Sequence, residues 1–136
     1  MLKSNKIIII SGASGSGKTT LVDYLLSFQN LNLKFSVSAC SRNRRSYEIE
    51  GRHYIFLSLE KFHQKINSND FLEWEEVYKN NFYGTLKSNT IDMLNSRKNI
   101  LFDVDVKGAE SIKNYFKEQA LGIFIKAPSK TIARER

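Results

Sequence analysis

The chain has 136 residues, 41% hydrophobic and 26% charged, as expected for one globular domain with an ordinary core. Its apolar runs are too short to span a bilayer and the first residues lack the pattern of a secretory signal, so we expect a cytoplasmic protein. A single cysteine excludes an internal disulfide, and with two histidines it makes a poor metal-ligand set, so no structural metal site is predicted. The net charge of +7 suits a phosphate-bearing partner, but scattered lysines account for much of it.

The first predicted elements are a buried strand over residues 6–10, where four isoleucines run towards a glycine, and a helix from Lys18 to Gln29. The loop between them, Gly12-Ala-Ser-Gly-Ser-Gly-Lys18-Thr19, matches the pattern G-x-x-x-x-G-K-[ST] in the context that this motif requires. Glycines allow backbone N–H groups to converge on phosphate oxygens at the positive end of a helix. The loop therefore predicts nucleotide binding, and the alternative is a flexible turn that only caps the helix.

Individual roles within this loop follow from residue chemistry. We expect Lys18 to reach the β- and γ-phosphates as a mobile point charge, and the Thr19 hydroxyl to ligate Mg²⁺. The predicted phosphate contacts are seven consecutive residues, namely Ser14, Gly15, Ser16, Gly17, Lys18, Thr19 and Thr20.

Residues 35–83 differ from the rest of the chain because they form short, aromatic and charged segments. We interpret them as an inserted lobe with a short helix near residues 59–67. Thr85 is predicted to cap a following helix that runs to about Lys98.

A buried strand, a helix and a further buried strand are predicted at residues 98–106, 107–116 and 120–127. Apolar strands that alternate with amphipathic helices predict an α/β fold, with a parallel sheet covered on both faces and right-handed crossovers. The core of this single domain would comprise residues 1–34 and 84–136.

A second phosphate site is predicted within the lobe. Arg42 and Arg45 stand three residues apart, with Ser38 before them and Tyr54 after them. The rigid fork of arginine suits a phosphate dianion, and hydroxyl groups can complete the cradle. The alternatives are a solvated loop or a patch that contacts nucleic acid. Five of the glutamates in the same lobe would repel a polyanion, namely Glu48, Glu50, Glu73, Glu75 and Glu76.

A carboxylate can also accept hydrogen bonds from a base that offers two adjacent N–H donors, as guanine does. Glu73 in "FLEWEEVY" is the candidate for this role, with Thr85 as a polar neighbour.

In this order the segments resemble those of guanylate kinase over nearly the whole chain. Beside the glycine loop, "SVSACSRNRR…E…G…Y", "NFYGT", "DVDVKGA" and "APS" correspond to the family patterns S-x-T-T-R-x-x-R-x-x-E-x-x-G-x-x-Y, N-Y-Y-G-[ST], D-[IV]-D-x-Q-G and P-P-S, and "FLEW" is shared. The resemblance implies a P-loop NTPase-type sheet flanked by helices, with an inserted GMP-binding lobe. It also implies transfer of the γ-phosphate of ATP to GMP with Mg²⁺, small-molecule partners only, and no nucleic acid or membrane partner.

The resemblance further implies which residues act. The GMP phosphate would be held by Ser38, Arg42, Arg45, Tyr54 and Tyr83, and guanine would be read by Glu73, Thr85 and Asp105. Asp103 would lie beside the magnesium together with Thr19. The catalytic residues would be Lys18, Arg42, Asp103 and Arg136.

Five positions depart from the family patterns, namely Cys40, Ser41, Phe82, Lys107 and Ala127. Lys107 replaces a glutamine and adds a cation beside the acceptor site. The family continues past "APS" with a lid that carries further arginines and with more of the sheet. We expect their absence from these 136 residues to cost several orders of magnitude in rate and to uncover a sheet edge.

Three alternatives to an active kinase stay open at this point. One is a truncated remnant that still binds nucleotide, and another is a non-catalytic module that binds a protein partner. The third is a related kinase whose acceptor is a phosphorylated sugar.

Overall fold

The structure is a computed structural model that describes residues 5–12 and 17–126. By its backbone contacts the chain divides into two compact units. Unit 1 consists of the described residues within Met1–Phe35 and Ser96–Arg136, and unit 2 consists of Ser36–Asn95. Unit 2 therefore includes residues 84–95, which the sequence pattern assigns to the core rather than to the lobe.

The described residues form eight strands and four helices. In chain order they are β1 (Ile7–Gly12), α1 (Lys18–Leu26), β2 (Leu33–Phe35), β3 (Ala39–Cys40), β4 (Ile55–Phe56), α2 (Leu59–Asn67), β5 (Phe71–Tyr78), β6 (Asn81–Leu86), α3 (Lys87–Asn95), β7 (Asn99–Asp103), α4 (Val106–Phe116) and β8 (Ala120–Ile125).

Unit 1 is built on a sheet in the order β2-β7-β1-β8, in which all neighbouring strands are parallel. Successive residues of a strand point to opposite faces of the sheet, and a helix packs against each face. On one side Leu101 clusters with Ile10 and with Val22 of α1, and on the other Phe102 packs near Phe116 of α4, with ring centroids 6.3 Å apart. The predicted parallel α/β fold is confirmed.

Two details of unit 1 differ from the sequence expectation. Helix α1 ends at Leu26 instead of Gln29, and a 3₁₀ turn at Gln29–Leu31 leads into β2. Strand β2 pairs with β7 at the edge of the sheet and was not predicted, because three residues are too few to produce a periodic signal.

Unit 2 contains a second sheet in the order β4-β3-β6-β5. Strands β3 and β4 run parallel, whereas β6 is antiparallel to both β3 and β5. Helix α2 has the bounds that the sequence predicts, and its N-cap Ser58 accepts a hydrogen bond from the backbone N–H of Lys61 at 3.1 Å. Its Phe62 is fully buried and stacks on Phe71 with centroids 4.5 Å apart.

The prediction that Thr85 caps a helix is wrong. Strand β6 continues to Leu86, because its pairing with β5 places Thr85 opposite Glu73 and Leu86 opposite Phe71. Thr85 is therefore a buried strand residue, and α3 begins two positions later at Lys87.

Within the part of the chain that the structure describes, no helix is both long and apolar enough to cross a membrane.

Candidate functional site

The glycine loop meets α1 at Gly17. This residue is the N-cap of the helix and has φ of 93°, a left-handed conformation that favours glycine. Its carbonyl accepts the first helical hydrogen bond, from Leu21 at 3.1 Å. Lys18 follows as the first helical residue, while Thr19 and Thr20 are exposed on the first turn. The positive end of α1 and its two hydroxyl groups are thus accessible to a ligand.

Asp103 lies at the carboxyl end of β7, in register with Ile10 of β1. Its Oδ1 atom forms an ion pair with Lys18 Nζ at 3.0 Å, and both side chains are 22% exposed. This contact lacks the angles of a hydrogen bond, so the buried Oδ1 atom has no hydrogen-bond partner among the described residues. The carboxyl edge of the sheet therefore brings together the lysine and the carboxylate that the sequence predicts as functional.

Asp105 also belongs to unit 1, two residues beyond β7. It is the N-cap of α4, and its Oδ1 atom accepts a hydrogen bond of 2.7 Å from the backbone N–H of Gly108. The other residues predicted to contact GMP lie in unit 2.

Arg42 is the centre of a cluster in unit 2. Its guanidinium carbon lies 5.1 Å from the centroid of the Tyr54 ring, and its Nε donates to Tyr83 Oη at 3.2 Å. The rings of Tyr54 and Tyr83 contact each other edge to face at 5.7 Å. Burial raises the pKa of Tyr54, so its phenol stays a protonated donor at neutral pH. Three residues predicted for the GMP phosphate are therefore in mutual contact.

Sequence reasoning missed the part that Glu48 plays in this cluster. Its carboxylate accepts two hydrogen bonds from Arg42, at 2.7 Å from Nη1 and 2.6 Å from Nη2. These bonds raise the pKa of Arg42 and lower that of Glu48 to about 2. Glu48 is only 4% exposed, so it adds little to the negative surface that the sequence assigned to five glutamates. The available signal was the glutamate of the family pattern, which falls three residues after Arg45.

The second predicted arginine, Arg45, is exposed, and its Nη1 donates to Tyr47 Oη at 3.4 Å. This hydrogen bond raises the pKa of Arg45. Ser38 precedes β3 and is half-buried, and its carbonyl accepts from Ile55 at 2.9 Å. Cys40 is fully buried, and burial raises the pKa of its thiol, which makes it unreactive.

Glu73 and Thr85 face each other on β5 and β6. The Thr85 hydroxyl donates to Glu73 Oε2 at 2.8 Å, and Thr85 is 1% exposed while Glu73 is half-buried. Tyr83 lies two residues before Thr85, so their side chains emerge on the same face of the sheet, roughly 7 Å apart. The arginine cluster and the glutamate–threonine pair thus share one face of unit 2.

Four residues of the predicted site, Ser14, Gly15, Ser16 and Arg136, lie outside the described residues.

A parallel sheet with a strand, glycine loop and helix at its carboxyl edge, and with a lysine paired to the carboxylate of a neighbouring strand, defines an α/β protein of the P-loop NTPase class. The family model of guanylate kinase matches residues 4–136. The chain belongs to the guanylate kinase family.

Individual relatives agree with this assignment. The chain is 52% identical over 131 residues to a guanylate kinase of Porphyromonas gingivalis, with 96% of this chain and 70% of the relative covered. It is 51% identical over 126 residues to one of Bacteroides thetaiotaomicron, with 93% and 61% covered. A crystal structure of guanylate kinase from Anaplasma phagocytophilum is similar with a TM-score of 0.76 at 29% identity, covering all of this chain and 67% of that one. The chain thus spans about 60 to 70% of the length of these relatives.

Proposed function

We propose that this chain transfers the γ-phosphate of ATP to GMP, giving ADP and GDP. The observation that carries the proposal is the face of unit 2 on which Arg42, Tyr54 and Tyr83 adjoin Glu73 and Thr85. A guanidinium with two phenol hydroxyls suits a phosphate, and a carboxylate suits a base with adjacent N–H donors. One surface therefore offers matching groups to both ends of a guanine nucleotide.

For the acceptor, Arg42, Tyr54 and Tyr83 bind the GMP phosphate together with Ser38 and Arg45. Tyr83 accepts from Arg42, so its own proton remains available to a phosphate oxygen. Glu73 accepts from guanine while Thr85 holds its second oxygen in place at 2.8 Å. Asp105 at the start of α4 is the third proposed guanine contact.

For the donor, the phosphates of ATP bind along the glycine loop, over residues 14–20, at the positive end of α1. Lys18 leaves its ion pair with Asp103 to reach the β- and γ-phosphates. Lysine suits this movement because it is a point charge on a flexible stem.

Thr19 and Asp103 fit a magnesium ion. The Asp103 Oδ1 atom is buried without a hydrogen-bond donor among the described residues, and Thr19 is exposed on the first turn of α1. Oxygen donors of this kind, few in number and completed by substrate phosphates, are those that Mg²⁺ prefers. When bound, the ion would neutralise charge on the β- and γ-phosphates.

Catalysis on this proposal consists of positioning and electrostatic stabilisation, without a covalent enzyme intermediate. Lys18 and Arg42 place positive charge on the donor and acceptor phosphates, and the predicted role of Arg136 is the same. We place the activity in the cytosol, where the single buried Cys40 stays reduced.

The test is a coupled assay of ADP release by the 136-residue chain with ATP and Mg²⁺, supplied in turn with GMP, AMP and ribose 5-phosphate. Isothermal titration calorimetry with GMP and AMP runs in parallel. We expect GMP-dependent ADP release and selective GMP binding, since only guanine offers adjacent donors to Glu73. GMP binding without turnover would contradict the kinase proposal for this chain and favour either a truncated remnant that binds nucleotide or a non-catalytic module. Equal use of ribose 5-phosphate would favour a sugar-phosphate kinase.

A further inference from the structure

Glu48 is a buried carboxylate between two exposed neighbours. It lies in the loop between β3 and β4 and is 4% exposed, whereas Tyr47 is 66% and Ile49 is 50% exposed. Burial of a charge is unfavourable unless hydrogen bonds compensate for it. The contacts of this side chain therefore indicate what holds it inside.

All the hydrogen bonds to its carboxylate come from one short segment. Besides the two bonds from Arg42, Oε1 accepts from the backbone N–H of Arg45 at 2.8 Å. The backbone of Glu48 reinforces the arrangement, since its N–H donates to the Arg45 carbonyl at 2.9 Å and its carbonyl accepts from Arg44 Nη1 at 2.6 Å. Glu48 thus ties together the segment that carries both proposed phosphate-binding arginines.

The donors of Arg42 are nearly all engaged. Of its five N–H groups, two donate to Glu48, one to Tyr83 at 3.2 Å and one to the carbonyl of Asn43 at 3.1 Å. The remaining N–H, on Nη2, has no acceptor at hydrogen-bond geometry among the described residues, while the Tyr54 hydroxyl also interacts with this guanidinium. The Glu48 carboxylate therefore occupies the Nη1–Nη2 edge of the guanidinium, and Tyr83 takes the Nε donor of the other edge at which a phosphate could pair bidentately.

We propose that Glu48 is a positioning residue for the phosphate of the acceptor nucleotide, acting through Arg42 and the backbone of Arg45. It orients the Arg42 guanidinium so that the phosphate receives one N–H from Arg42 and the hydroxyl of Tyr83. The phosphate does not receive a bidentate pair of N–H groups from Arg42. The inference rests on the proposed function, because it assumes that GMP binds to this face.

The experiment compares the binding of GMP and guanosine by calorimetry in wild-type chain, Glu48→Gln and Glu50→Gln. The dissociation constant of guanosine divided by that of GMP measures the contribution of the phosphate alone. Glu50→Gln is the matched control: it removes the same charge from the same loop, where Glu50 Oε1 accepts from Phe56 N–H at 2.9 Å. We expect Glu48→Gln to reduce the ratio about 10-fold or more with guanosine affinity unchanged, and Glu50→Gln to leave both unchanged.

An unchanged ratio in Glu48→Gln would overturn the inference, as would an equal loss of GMP and guanosine affinity, which marks a merely structural role. If that variant does not fold, Glu48→Asp serves instead, since it keeps the charge but withdraws the carboxylate by one methylene group. Its ratio should fall as well, and a wild-type ratio there overturns the inference.

A cycle with Arg42→Lys tests whether Glu48 acts through Arg42. The double variant Arg42→Lys/Glu48→Gln should lower the ratio no further than Arg42→Lys alone, and additive losses would contradict the mechanism. Wild-type chain that binds GMP no more tightly than guanosine would instead refute the proposed phosphate site itself.

Discussion

The two units differ in how they assemble their proposed phosphate sites. In unit 1 the groups come from a contiguous loop and from the end of a neighbouring parallel strand, and the Lys18–Asp103 pair is partly exposed. In unit 2 the groups come from two loops and two antiparallel strands, and Arg42 is held by a buried carboxylate and two aromatic rings.

This difference has a physical consequence. A lysine on a flexible stem can follow a phosphate that changes position during transfer, while a guanidinium with four engaged donors presents one fixed direction. On the proposed function, the flexible Lys18 side chain suits the phosphate that is transferred, and the firmly held Arg42 guanidinium suits the acceptor phosphate that has to be held still.

The largest expected effect is a loss of activity on substitution of Lys18 in unit 1, without a loss of GMP binding by unit 2. Lys18→Ala should lower the rate of ADP release about 10³-fold or more, because no other described cation contacts Asp103 at the carboxyl edge of the sheet. GMP affinity, measured by calorimetry, should stay near that of the wild type. Lys34→Ala, an exposed lysine of β2, is the control and should keep full activity. Loss of GMP binding in Lys18→Ala would contradict the separation of roles.

Glu73→Gln tests the base end of the unit 2 surface. It should weaken GMP and guanosine binding equally, by about 10- to 100-fold, since an amide cannot accept from two adjacent donors as a carboxylate does. Glu76→Gln is the control on the same strand, because Glu76 pairs with Phe82 rather than Thr85. A change confined to GMP would show that Glu73 serves the phosphate instead.

Gly84→Ala tests the close packing beneath that surface. A Cβ atom at Gly84 would lie 2.8 Å from Phe71 Cδ1 and 2.9 Å from the carbonyl oxygen of Glu73. We expect the free energy of unfolding to fall by about 1–3 kcal/mol, measured by urea titration with fluorescence of the single tryptophan, Trp74, in unit 2. Gly122→Ala in β8 is the control, followed by circular dichroism, because a Cβ there meets no atom of the described residues within 4 Å. Similar losses in the two variants would argue against the clash.

The smallest effect concerns pH. Hydrogen bonds from Arg42 lower the pKa of Glu48 from 4.5 to about 2, so the ionised carboxylate favours the folded chain at higher pH. This contribution should be complete above about pH 4.5 and lost as the pH falls towards about 2. Urea titrations across this range should show a flatter pH dependence for Glu48→Gln than for Glu50→Gln. Parallel curves would exclude the pair as a source of acid sensitivity.

Local patterns account for much of unit 1 and for parts of unit 2. Short apolar runs predict the strands β1, β7 and β8, and amphipathic spacing predicts the helices α1 and α4, because each of these patterns lies within one short segment. The bounds of α2 were predicted as well, at residues 59–67. The glycine loop and its lysine needed no information from the rest of the chain to indicate phosphate binding.

Tertiary structure decided what depends on pairing between distant segments. Thr85 resembles a helix cap in sequence, but antiparallel pairing with β5 makes it a buried strand residue bonded to Glu73. Glu48 resembles one more surface acid, and only the folding of its loop around Arg42 turns it inward. A sequence lists charges in order along the chain, whereas the partners that compensate a buried charge are chosen in space. The residue types of the candidate site were thus determined by the sequence alone, and the orientation of its arginine by the fold.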